Sequence, residues 1–172
     1  MLKVKKTSAL VTASLLAALA LAPGASAATP TTLTTTQKAQ LKYLIEEEKL
    51  ARDVYAYLAT KVTTRKFSNI TRSEQTHMDY IAALLKKYKL TNPTTGKAAG
   101  VFVNKDIQAL YNTLTKQGSA GILEAMAVGV KIEEVDIASL EKLLAKAMPA
   151  DVKAALDLLL AASNNHLEAF SM

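Results

Sequence analysis

From Thr36 onward, apolar residues recur at spacings that alternate between three and four, the pattern of helices that each bury one stripe. The first stretch, from about Thr36 to Val62, aligns Leu41, Leu44, Glu48, Ala51, Tyr55, Leu58 and Val62. The second, from about Lys66 to Lys89, aligns Phe67, Ile70, Glu74, His77, Ile81, Leu84 and Tyr88. The third runs from Ser119, a candidate cap, to Ala147 and aligns Ile122 or Leu123, Met126, Val130, Glu133, Ile137, Leu140 and Leu144. The fourth starts near Pro149, a residue suited to a first helical turn, and aligns Val152, Leu156, Leu159, Ser163, His166 and Phe170. Thr34 and Gln37 have the spacing of a capping box ahead of the first helix. Thr91 to Asn104 carries Pro93, Gly96 and Gly100 and reads as loop; Asn104 then caps a shorter helix through Gln117, ended by Gly118. No stretch carries a strand pattern of any weight.

The connections predict the topology. The first and second long helices are joined by a short link and so lie antiparallel, and the third and fourth do likewise. Between these hairpins the chain takes a long route that includes the small helix. The expected fold is therefore an all-α four-helix bundle of two antiparallel hairpins joined by a long crossover.

Four of the seams are interrupted by groups that do not belong in an apolar core: Glu48, Glu74 with His77, Glu133, and His166. Ionised carboxylates are costly in a core unless paired or bound to a cation. Residues at equal height in an antiparallel hairpin are mirrored about its turn. The midpoint of Glu48 and His77 falls between Val62 and Thr63, and that of Glu133 and His166 between Pro149 and Ala150, which are the two expected turns. All four helices thus bring a polar core residue to mid-bundle. Carboxylate oxygens and imidazole nitrogens without sulfur suit iron or manganese, with zinc as a further option. The bland alternative for Glu74 and His77 is a hydrogen-bonded polar pair, and for Tyr55 a packed bundle tyrosine. Glu46, Glu47 and Asp53 are expected on the solvated face.

Composition narrows the function classes. There is no cysteine, hence no disulfide, thiolate metal site or thiol nucleophile. Residues 1–27 have the form of a secretory leader: basic Lys3, Lys5 and Lys6, an apolar stretch from Ala9 to Ala22, and a small-residue site ending at Ala27. Residues 28–36 read as a flexible linker, and residues 37–170 as one domain. The expected location after cleavage near Ala27 is secreted, periplasmic or at the cell envelope, with no further membrane span. Removing the leader takes three of the 21 Lys+Arg and none of the 15 Asp+Glu, so the net charge falls from +6 to +3. With no basic stripe and no Trp, nothing predicts nucleic-acid binding.

The runs Glu46-Glu47-Glu48-Lys49-Leu50-Ala51-Arg52-Asp53-Val54-Tyr55, Ser73-Glu74-Gln75-Thr76-His77-Met78-Asp79, Ile132-Glu133-Glu134-Val135-Asp136-Ile137 and Asn165-His166-Leu167 resemble the ferritin-like di-iron carboxylate superfamily, which includes ferritins and rubrerythrins. Their wording is closest to an uncharacterised branch called domain of unknown function 2202. The resemblance spans about residues 37–170 and implies a ferritin-like four-helix bundle. It implies Glu48 as a terminal ligand, Glu74 as a bridge, His77 on the same metal as Glu48, Glu133 as the third helix's ligand and His166 on the second metal. It also implies Tyr55 as a donor to a ligand carboxylate. One departure stands out: the superfamily's fourth helix supplies Glu-x-x-His, whereas this chain has Ser163-Asn164-Asn165-His166. Either Glu134 or Asp136 would then have to make up the missing carboxylate, or a single metal would bind.

The function implied is that of an exported metalloprotein with two irons (or iron and manganese) acting on O2 or H2O2. If it is an enzyme, it would be an oxidoreductase of the ferroxidase or peroxidase type. The alternative is a non-enzymatic metal-binding or interaction module with one zinc or manganese, and a third reading is a metal-free bundle. A homodimer through the face of the first hairpin is a further expectation of the resemblance.

Overall fold

The computed structural model describes residues 31–172, so the leader and the start of the linker lie outside the described residues. Five helices occupy this span: α1 (Thr35–Leu58), α2 (Arg65–Lys87), α3 (Lys105–Gly118), α4 (Ile122–Leu144) and α5 (Ala150–Ser171). No strand occurs among the described residues.

Each start has a local cause. Thr34 Oγ1 accepts from the Gln37 amide at 3.2 Å while the Gln37 side chain accepts from the Thr34 amide at 2.9 Å, a complete capping box. Leu33 just ahead is buried in the core, so the expected flexible linker is already part of the fold at its end. Thr64 caps α2 and Asn104 caps α3 with their side-chain oxygens. Gly121, not Ser119, precedes α4; Ser119 instead follows the C-terminus of α3. Pro149 stands one position before α5, where its lack of an amide proton costs nothing. The C-terminus of α5 receives the Lys66 ammonium, which donates to the Ala169 carbonyl at 2.6 Å.

Helix α1 packs on α2, and α4 on α5; contacts of α1 with α4 and of α2 with α5 close the square. Tyr55 meets Gly129 and Glu133 while Glu47 meets Ser139, so α1 and α4 run antiparallel. Lys66 reaches Ala169 and Tyr88 reaches Asp151, so α2 and α5 do too. The chain therefore runs up, down, then across and down, then up. The crossover must traverse the bundle's length, and α3 lies within it against α1 and α4.

Two apolar clusters fill the interior. One holds Leu41, Leu44, Ile81, Leu85, Leu140 and Leu156. The other holds Tyr55, Phe67, Ile70, Val128 and Phe170. The polar residues of the seams form the layer between them. In the second cluster Tyr55, Phe67 and Phe170 meet with ring centroids 5.1–5.9 Å apart. Phe170 thereby fixes the last turn of α5, only four residues beyond His166.

The seams of α1, α2 and α5 match the expected lines, except that Val62 lies beyond the end of α1 and Tyr88 beyond that of α2. The α4 line differs. Its buried residues are Ala125, Val128, Gly129, Ile132, Glu133, Asp136, Leu140 and Leu143, whereas Leu123 is 78% exposed. The cause is close packing by α5: a Cβ on Gly129 would sit 2.5 Å from the Phe170 ring. Small residues face the bundle there, and α3 gives the larger apolar side chains of α4 a second surface to cover.

Candidate metal centre

The polar layer brings Glu48 from α1, Glu74 and His77 from α2, Glu133 from α4 and His166 from α5 together, and each is at least nine-tenths buried. Glu74 is the hub. Its Oε2 lies 2.8 Å from His77 Nδ1 and its Oε1 lies 2.9 Å from His166 Nδ1. Glu48 Oε2 stands 3.1 Å from the same His77 nitrogen, and Glu133 Oε1 stands 3.6 Å from that of His166. The donor atoms form two trios, Glu48–Glu74–His77 and Glu74–Glu133–His166, each with all atoms within 4.8 Å of one another. Spacing of three residues on α2 sets Glu74 and His77 on one face, which lets one carboxylate serve both trios. The two imidazoles stack with centroids 5.6 Å apart.

Hydrogen bonding does not account for all of these atoms. Glu48 Oε1, Glu74 Oε1, Asp136 Oδ1 and His166 Nδ1 are buried without a hydrogen-bond partner. Glu74 Oε1 and His166 Nδ1 are close in distance yet not aligned as donor and acceptor. Two ligands directed at one cation meet in this way. Buried orphan atoms are uncommon in native folds and call for an explanation. A divalent cation in each trio supplies one for three of these atoms, so the donor set fits metal binding.

The remaining groups hold this layer in place. Tyr55, fully buried, donates to Glu133 Oε1 at 2.7 Å. Ser73 Oγ lies 3.5 Å from His77 Nε2. Ser163, at the position where a fourth-helix carboxylate was missed, donates to Asp136 Oδ2 at 2.7 Å. Asp136 is thus buried at the edge of the layer, while Glu134 is exposed and outside it. Of the two residues proposed to make up the deficit, only Asp136 is inside the bundle.

Protonation follows from burial and crowding. Burial, and then the charge of Asp136, drive the Glu48 carboxyl well above its ordinary range. Burial raises Glu133 to about 7 and Asp136 to about 6. Glu74 behaves oppositely: burial pushes it up, but the two flanking imidazoles outweigh that and hold it at about 2. Burial disfavours charged imidazoles, yet the adjacent carboxylates raise His77 to about 10 and His166 to about 9. Without a cation the layer balances its charge by holding protons.

A second polar group lies on the outer face of α1. Glu46 and Asp53, expected in solvent, are 5% and 3% exposed. Glu46 Oε1 accepts from the amides of Val103 and Asn104 at 2.6 and 3.1 Å. Asp53 pairs with Lys49 and Arg52 and accepts from the Gly100 amide at 2.8 Å. Lys49, 1% exposed, donates to the Ala98 carbonyl and sits 4.4 Å from the Phe102 ring centroid. These side chains tie residues 98–104 to the outer face of α1. The available signal was the i, i+4 pair Lys49–Asp53, which alone does not distinguish a surface pair from a clamp.

The chain is thus an all-α protein with a carboxylate–imidazole layer in a helical core. Residues 37–172 match the family described as an uncharacterized protein domain, DUF2202, and the chain belongs to that family. It is 42% identical over 134 residues to the uncharacterized protein MJ0754 of Methanocaldococcus jannaschii, covering 78% of this chain and 72% of that one. The crystal structure of hypothetical protein MJ0754 superposes with a TM-score of 0.79 at 40% identity, covering 84% of this chain and 83% of that chain.

Proposed function

We propose that this protein is a ferritin-like metalloprotein that holds two metal ions, iron or iron with manganese, in the layer between its two apolar clusters. The observation that carries the reading is the sharing of Glu74: its two oxygens address two different imidazoles, each backed by a further carboxylate. Glu48, Glu74 and His77 would hold one ion, and Glu74, Glu133 and His166 the other. When bound, such ions supply Lewis acidity and redox chemistry toward O2 or H2O2.

Glu74, kept ionised by its neighbours, offers negative charge at both positions. Burial makes Glu48 and Glu133 ionise reluctantly on their own, so they would ionise as cations bind, keeping the local charge near balance. Tyr55 orients Glu133 through its hydroxyl, and the Phe67–Phe170 pair fixes the Tyr55 ring. The apolar clusters above and below restrict water. Ser163 brings no carboxylate from α5, and Asp136, which accepts its hydroxyl, lies outside both trios, which supports a weaker second ion than first.

Elemental analysis of protein purified under native conditions tests the reading, with about two ions per chain expected from the bundle's two ligand sets. Consumption of O2 or H2O2 by ferrous-loaded protein then separates a redox role from storage or structure. A protein that carries only zinc and turns over neither oxidant would favour the non-enzymatic module, a reading that the departure at Ser163 supports.

A further inference from the structure

A cavity of about 60 Å³ lies between α1, α3 and α4, on the outer side of the polar layer. Its floor is apolar: Ala51 from α1, Leu114 from α3 and Ile132 from α4 are all buried. Val135 stands at its mouth, half exposed. Four polar side chains interrupt the apolar wall, Tyr43 and Lys131 toward solvent and the two carboxyl groups of Glu47 and Asp136. Glu47 receives only a 3.3 Å bond from Ser139, and Asp136, more than nine-tenths buried, has one oxygen with no partner. Asp136 is therefore a wall shared by this cavity and the polar layer.

Three constraints define what fits. The volume is several times the roughly 10–15 Å³ that just admits one water, so it suits a molecule of only a few heavy atoms. The apolar floor excludes ions, which would lose hydration without replacement. The two carboxyl groups favour an occupant that donates a hydrogen bond. We propose that this cavity is a binding site for small neutral molecules bearing a hydroxyl group, short-chain alcohols or hydroperoxides, whose O–H is accepted at the Glu47–Asp136 wall. The site stands whether or not the layer holds cations, so its test does not depend on the metal reading.

The test compares two isomers, 1-propanol and methoxyethane, which differ in possessing or lacking a donor. The full chain, with added zinc to keep the sample diamagnetic, is titrated with each while the methyl resonances of Ala51, Leu114 and Ile132 are followed. Saturable shifts at these methyls with 1-propanol are expected, at an affinity about tenfold above that for methoxyethane, the ratio one hydrogen bond gives. Val135→Trp, a change at an exposed position, closes the mouth and abolishes the shifts. Glu47→Leu retains binding but removes the preference for the alcohol. Absence of saturable shifts, equal affinity for the ether, or undiminished binding in Val135→Trp would each overturn the proposal.

Discussion

Tyr55→Phe removes one oxygen and leaves the ring between Phe67 and Phe170. The lost contact is the 2.7 Å hydrogen bond to Glu133 Oε1, in a place that no water reaches. A buried hydrogen bond to a carboxylate contributes about 1.5–3 kcal/mol, so a stability loss of about 2 kcal/mol is expected. That bond also helps keep Glu133 ionised against the effect of burial. Its loss leaves Glu133 more firmly protonated and free to turn away from His166. Loss of such an orienting partner typically lowers metal affinity about 10–100-fold. The effect should fall on the Glu74–Glu133–His166 trio and largely spare Glu48–Glu74–His77. Calorimetric titration of metal-free protein with manganese resolves the two sites, and urea denaturation gives the stability term. Equal weakening at both sites, or unchanged binding with unchanged stability, would refute the assignment of Tyr55 as the residue that positions Glu133.

Gly129→Ala places a Cβ 2.5 Å from Phe170 Cγ and should cost about 1–3 kcal/mol by overpacking, read as a lower urea midpoint with increased hydrogen exchange in the last turn of α5. Asp53→Asn leaves the Lys49 ammonium buried without its counter-charge; a loss of about 3–5 kcal/mol is expected, with faster amide exchange over residues 98–104 as the signature. Burial holds the Asp136 pKa at about 6 against an ordinary 3.8, so the unfolded chain releases this proton first and metal-free stability falls as pH rises through that window. The contribution is about 3 kcal/mol, and it should disappear from the pH profile of Asp136→Asn. Because His77 and His166 hold protons up to about 10 and 9, metal binding should release protons and tighten as pH rises toward those values, measurable by calorimetry in buffers of different ionisation heat.

Much of this architecture is legible in the chain because a two-hairpin bundle has few degrees of freedom. Once the seams of α1, α2 and α5 are assigned, mirror symmetry about the two short turns brings Glu48 level with His77 and Glu133 level with His166. The seam of α4 is less legible because α4 packs on two sides, and size rather than hydrophobicity selects its inward residues: Gly129 faces the bundle to admit Phe170. Glu133 lies where the expected and observed lines cross, and it is buried. Glu46 and Asp53 read as surface because their partners are backbone amides of a loop tens of residues away, to which helical periodicity is blind. Ser163 looked like a missing ligand; its role in holding Asp136 needs the α4–α5 pairing in three dimensions.

Anomalous diffraction from a crystal of natively purified protein, recorded at the iron, manganese and zinc edges, addresses the central claim most directly. The account predicts two peaks in the polar layer on opposite sides of Glu74, one among Glu48, Glu74 and His77 and the other among Glu74, Glu133 and His166. A layer without any peak, with these side chains engaged only with one another or with water, would contradict it.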